Sequence, residues 1–200
     1  MTCTTSTPKD IASVQIDGKT YVFFVNKQDR LCYVHKTNDA SLGDFSPKQI
    51  QLRSTKSDVK KPVQVKPGSQ QIAAVAWVPK DKDGNPEKDQ CQKNKWQIRV
   101  YSIGDENGRG YLQEACFGDD TKGDWTQGFL GSPDQKKEGH RRYVDDGSSL
   151  AAIGSRYQNL QVFVSGRGQN GLPKIEVHSY KDDHPDTWVN ESIQEPLFTA

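Results

Sequence analysis

The sequence predicts an all-β protein assembled from one four-stranded antiparallel unit, repeated three times. Three observations carry that reading. Short runs rich in Val, Ile, Tyr and Phe recur in the same order three times, and turns rich in Gly, Asn and Asp separate them. Hardly any window sustains the 3.6-residue apolar period of a helix.

The first element of each unit reads Ile11-Ala-Ser-Val-Gln-Ile16, Ile72-Ala-Ala-Val-Ala-Trp77 and Leu150-Ala-Ala-Ile153. The second reads Tyr21-Val-Phe-Phe-Val25, Gln97-Ile-Arg-Val-Tyr101 and Leu160-Gln-Val-Phe-Val164. Third come Arg30-Leu-Cys-Tyr-Val34, Tyr111-Leu-Gln-Glu-Ala-Cys116 and Lys174-Ile-Glu-Val-His178. Each unit closes on an acidic turn and an aromatic: Gly43-Asp-Phe45, Gly123-Asp-Trp125 and Pro185-Asp-Thr-Trp188. Runs this short, with β-branched and aromatic residues between turn residues, are hairpin strands. Polar inserts at Val78 to Lys95 and Gly131 to Gly147 read as surface loops.

Four strands per unit is the pattern of a β-propeller blade, so the chain reads as a single domain of three blades. Their approximate limits are 8–60, 61–135 and 146–200. Three blades do not close a ring and would leave apolar faces open. A two-fold homodimer would complete a six-bladed ring, with a chain-to-chain seam on each side.

Composition narrows the functional classes. The chain has 200 residues, of which 32% are hydrophobic, and polar chains with scattered apolar runs suit thin β-layers. Its 27 basic and 26 acidic residues leave a net charge of +1, so the footprint of a nucleic-acid binder is missing. No apolar run approaches the ~20 residues needed to span a membrane as a helix. Met1 to Pro8 has neither the basic start nor the apolar stretch of a secretory leader. The expected location is the cytoplasm, or the exterior for a mature chain whose leader was removed. Cys3, Cys32, Cys91 and Cys116 form no C-x-x-C pair. Cys32 and Cys116 fall in strand-like runs and read as small buried hydrophobes; in an exported protein a disulfide role stays open.

The second unit carries a resemblance. Ile98-Arg-Val-Tyr101, Leu112-Gln-Glu114 and Trp125-Thr-Gln-Gly128-Phe-Leu-Gly131 are similar to a blade of the fungal fucose-specific lectins, the six-bladed propellers typified by the orange-peel fungus lectin. It is strongest over 70–131, fair over 148–190, and faint but in phase over 10–52. In that family fucose binds between adjacent blades. An arginine and a glutamate come from one blade, a tyrosine and a tryptophan from the next. The resemblance thus implies a sugar site of Arg99, Glu114, Tyr180 and Trp188, with no cofactor, no metal and no catalysis. Free L-fucose or fucosylated glycans would be the partners.

The chemistry of these residues agrees with that implication. Arg99 offers planar donors and Glu114 accepts hydroxyl protons, so the pair can clamp adjacent ring hydroxyls. Tyr180 and Trp188 can cover a deoxy methyl and a C–H patch, and the indole N–H can donate. The rival reading makes Arg99 and Glu114 a cross-strand ion pair. The other two seams depart from the pattern. Val22 and Tyr33 stand at the charged positions in unit one, and Gln161 and Val177 in unit three, with Glu176 one residue out of phase. The turn Gly104-Asp-Glu-Asn-Gly-Arg-Gly110 lengthens the hairpin between Arg99 and Glu114. Register survives if the extra residues stay outside the ladder.

Other motifs are weaker. Asp81-Lys-Asp83-Gly-Asn85 has its glycine two positions early for a calcium loop, and Gln92 stands where a glutamate is needed. His178, His184, Asp182, Asp183 and Asp186 read as an acidic hairpin turn and not a metal cluster. Gly166-Arg-Gly168-Gln-Asn-Gly171 has no following helix and reads as a hairpin tip. Asn190-Glu-Ser192 is a glycosylation acceptor if the chain is secreted. Glycosidase chemistry needs two carboxylates ~5–5.5 or ~6.5–9.5 Å apart, and the repeat places only Glu114 at a seam. The expected function is a non-catalytic lectin; the alternative is a propeller turned protein-interaction module.

Overall fold

The computed structural model describes residues 7–37, 46–53, 59–78, 96–121, 123–132, 141–154, 160–167, 171–180 and 188–193. Cys3, Cys91, the Gly43–Phe45 closing turn and the 81–92 loop lie outside the described residues.

The first unit is a four-stranded antiparallel sheet of β1 (Ile11–Ile16), β2 (Lys19–Val25), β3 (Leu31–Thr37) and β4 (Lys48–Gln49). The third is likewise four-stranded, with β12 (Leu150–Ile153), β13 (Gln161–Arg167), β14 (Pro173–Tyr180) and β15 (Trp188–Ile193) in sequence order. Both match the repeat. Asp17-Gly18 closes the first hairpin with φ of 50° and 63°, the positive pair of a two-residue turn whose twist suits the strands.

The middle sheet departs from four strands. It has seven, running β6 (Lys60–Pro62), β5 (Gln51–Arg53), β10 (Trp125–Gln127), β9 (Arg109–Gly118), β8 (Gln97–Glu106) and β7 (Ile72–Trp77), with β11 (Tyr143–Val144) also on β9. The segment joining the first two units folds back as a hairpin. Its β5, read from the repeat as part of unit one, lies parallel to β10, with Leu52 opposite Trp125. Arg53 Nη1 reaches Asp124 Oδ2 at 3.4 Å and Lys60 pairs with the same carboxylate, fixing the added strands at the sheet edge. The insert expected to be a loop over 131–147 likewise contributes β11.

The long hairpin also differs from expectation. Residues 104–106 and 109–110 are inside the ladder: Gly104 faces Tyr111, Asp105 faces Gly110, and Glu106 faces Arg109. Only Asn107-Gly108, with φ of 52° and 84°, makes the turn. The extra residues extend the strands without displacing Tyr101 from Glu114 or Arg99 from Cys116.

Burial explains the layering. Burial alternates residue by residue along β1 and β12, yet β8 is buried continuously from Gln97 to Gly104. A strand buried on both faces lies between two layers. Ile98 and Val100 join Phe23, Val25 and Trp125 in one core, against the first sheet. Tyr101 joins Leu112, Val162, Tyr180 and Trp188 in the other, against the third. Strand β7 contacts both β1 and β12, so the first strands of the three units lie side by side.

Candidate functional site

Strand alternation sends Arg99 and Tyr101 to the face of β8 opposite Ile98 and Val100, toward the third sheet. Glu114 faces Tyr101 on β9, and Tyr180 faces Trp188 across β14 and β15. All four residues expected at a site, Arg99, Glu114, Tyr180 and Trp188, line one cavity of about 270 Å³ between the middle and third sheets. Cys116, Gln97, Gly128, Phe129 and Leu160 complete much of its wall.

The polar side of the cavity is built on Glu114. Arg99 Nε lies 3.8 Å from Glu114 Oε1, and both side chains are nearly buried. The Tyr101 hydroxyl donates to the same oxygen at 3.3 Å, and the Leu130 amide donates to Oε2 at 3.5 Å. Burial, and then the Glu114 carboxylate, pushes the Tyr101 hydroxyl well above its ordinary range, so it stays a proton donor. Gln127 Nε2 donates to the carbonyls of Glu114 and Leu130, holding the 127–130 segment beside the carboxylate.

The apolar side is aromatic. Tyr180 and Trp188 meet edge to face at 5.8 Å, Tyr101 meets Trp188 edge to face at 6.1 Å, and Phe129 stacks on Tyr180 at 6.2 Å. Trp188 is 3% exposed, and its indole Nε1 finds no hydrogen-bond partner among the described residues.

The equivalent place between the first and middle sheets is filled. There the ladder corrects the sequence alignment: Tyr21, opposite Val14, takes the place that Arg99 takes opposite Val75, and Val22 points to the other face. Tyr33 faces Phe23 as Glu114 faces Tyr101. Phe117 and Trp125 stack at 4.9 Å, and Phe23 and Tyr33 meet Trp125 at 5.9 and 5.6 Å. Burial, and then Tyr33, pushes the Tyr21 hydroxyl up to about 12. This seam is an aromatic plug with neither charged partner. In the third sheet Gln161 and Val177 occupy the two positions, as expected, and Glu176 lies on the opposite face with His178.

Cys32 and Cys116 are buried, as small apolar residues in strands would be. Among the described residues no group of three or more His, Cys, Asp and Glu could hold a metal ion, and His184, Asp182, Asp183 and Asp186 lie outside them. Gly166 and Arg167 end β13 and lead to strand β14, as the hairpin reading requires. No described helix is long and apolar enough to cross a membrane. Tyr101, which supports Glu114 from behind, and the wall residues Gly128, Phe129 and Leu160 were missed as site residues. Parity with Arg99 would have found Tyr101; the others sit in a turn and at a strand end, where no periodicity guides them.

No family model matches the chain, and no curated protein matches it. Among solved structures it is similar to a fucose lectin from Kordia zhangzhouensis in complex with methyl-fucoside. The TM-score is 0.48 and the identity 14%, over 93% of this chain and 100% of that one.

Proposed function

We propose that the chain is a non-catalytic lectin that holds L-fucose, free or at the end of a glycan, in the cavity between the middle and third sheets. The observation carrying this is the convergence of Arg99, Glu114, Tyr180 and Trp188 on one cavity. Arg99 and Glu114 clamp neighbouring hydroxyls while the aromatics cover the methyl and C–H face. Among the described residues Glu114 is the one carboxylate lining the cavity, where glycosidase chemistry uses two.

Calorimetric titration with L-fucose tests the reading. Saturable binding that is weakened by Arg99→Ala and Glu114→Ala supports it. Binding left intact in both variants would move the site elsewhere.

We read the three sheets as blades of a propeller, with β1, β7 and β12 as the inner strands, and a homodimer as the closed ring. Among the described residues the first and third sheets each keep one face without a sheet against it, and Ile11, Ile153 and Ile193 are 62%, 54% and 39% exposed. Packing the third sheet of one copy on the first sheet of another would repeat the internal seam twice. Sedimentation that returns monomer mass at all concentrations would remove the dimer. These exposed residues also favour a second reading, a protein-interaction module. It predicts no response to any free sugar.

A further inference from the structure

We propose that Arg142 is a positioning residue for the cavity, pinning the strand that carries Trp188 to the strand that carries Glu114. The inference rests on the sugar-binding reading for its functional meaning and on geometry for its existence. The Arg142 carbonyl accepts from the Leu112 amide at 2.8 Å, two residues before Glu114 on β9. Its guanidinium reaches across the seam, and Nη2 donates to the Trp188 carbonyl at 2.6 Å. One residue therefore joins the two halves of the cavity, by its backbone on one side and its side chain on the other.

The joint acts at the open edge of a sheet. Strand β15 ends its sheet and has β14 as its one strand neighbour, so its outward carbonyls need partners from elsewhere. Trp188 opens β15, and its ring meets Tyr101 of the middle sheet and Tyr180 of the third. A shift of the strand start would re-aim the indole and its unpartnered N–H together. Simple seam filling does not require a guanidinium. Arg142 Nε is buried without a hydrogen-bond partner among the described residues, a desolvation cost that Leu or Met would avoid. The guanidinium is retained for what it grips, a short charge-assisted bond with defined direction.

The test compares wild type, Arg142→Gln and Arg142→Lys in two measurements. One is calorimetric titration with L-fucose. The other is the indole N–H region of the ¹H–¹⁵N spectrum, where the chain's four tryptophans give four signals and Trp188→Phe identifies the one of interest. Arg142→Gln is expected to weaken fucose binding about tenfold, the scale of one charged hydrogen bond. It should move the Trp188 signal while leaving the other three in place, with Arg142→Lys intermediate in both. An unmoved Trp188 signal in Arg142→Gln overturns the inference. So does a shift of all four signals with a collapsed thermal midpoint, which marks a merely structural role. If Arg142→Gln does not fold, Arg142→Lys carries the same comparison. Wild type that binds no fucose defeats the sugar reading alone, because the Trp188 signal still decides whether Arg142 pins the strand.

Discussion

Gly128 lies directly against the Glu114 carboxylate: a Cβ added at 128 would stand 2.1 Å from Oε2 and 2.4 Å from Cδ. No real Cβ tolerates such contacts, so any side chain here must displace the carboxylate. The backbone amides and Gln127 hold the segment in place, leaving it little room to retreat.

Gly128→Ala is therefore expected to lower fucose affinity at least about tenfold by turning Glu114 out of register with Arg99. Overpacking should cost roughly 1–3 kcal/mol of stability. Titration and denaturant unfolding read the two effects. Wild-type affinity in a folded Gly128→Ala protein would show that the Glu114 carboxylate does not contact the sugar.

The Arg99–Glu114 pair separates the lectin reading from the plain ion-pair reading. Removing one charge leaves the other buried and uncompensated, at a cost of about 3–5 kcal/mol. The double variant Arg99→Met/Glu114→Gln removes both charges and should regain most of that stability. If the pair also clamps sugar hydroxyls, the double variant stays ten- to hundredfold weaker for fucose, at about 1.5–3 kcal/mol per charged hydrogen bond. Stability and affinity recovering together would reduce the pair to packing.

What the sequence made legible, and what it did not, divides along physical lines. Alternation and two-residue turns are local, so the strands of the first and third units and the parity of Arg99 and Tyr101 could be read directly. The parallel pairing of Leu52 with Trp125 is non-local, and a Gln-Leu-Arg run too short for alternation gives no warning of it. A one-residue slip put Val22 in the place of Tyr21, since both flank the same aromatic run and only the ladder opposite Val14 distinguishes them. The extra residues of the long hairpin looked like a loop because Gly, Asp and Asn cluster there. Cross-strand pairing overrides that local preference. The Gly128 contact, within the middle sheet, and the Arg142 joint, across the seam, depend on segments that only the folded chain brings together, which no pattern along the chain encodes.

His178 sets an acid limit on the same seam. It is fully buried on the cavity-facing side of β14, and both ring nitrogens lack a hydrogen bond among the described residues. Burial first, with Arg142 and Lys174 adding to it and Glu176 at 3.6 Å opposing it, lowers its pKa to about 4. The folded state thus binds the proton less readily than the unfolded chain, whose histidine titrates near 6.5. Stability is complete above pH 6.5 and falls as pH drops toward 4, by about 3 kcal/mol for a shift of this size. The matching positions in the other sheets, opposite Val22 and Val100, hold Val34 and Ala115, so an apolar residue is compatible with the fold. His178→Leu should flatten the slope of unfolding free energy between pH 6.5 and 4 relative to wild type. Parallel slopes would mean that His178 titrates as an exposed histidine does.

The aromatic plug makes a prediction about stoichiometry under the proposed sugar reading. Fucose binding through a charged clamp needs the arginine and the glutamate together, and Tyr21 and Tyr33 occupy both places in the first seam. Calorimetry should therefore return one sugar per chain, whether the protein is monomeric or dimeric. Tyr33→Ala removes a ring that meets Tyr21, Phe23 and Trp125, and the resulting cavity should cost about 3–5 kcal/mol, as for other large aromatic truncations. The hole would be lined mainly by rings and would hold no arginine–glutamate clamp, so the number of sites should stay at one. A second fucose bound per chain, in wild type or in Tyr33→Ala, would mean that aromatic stacking alone suffices to hold the sugar and that Arg99 and Glu114 are not what selects it.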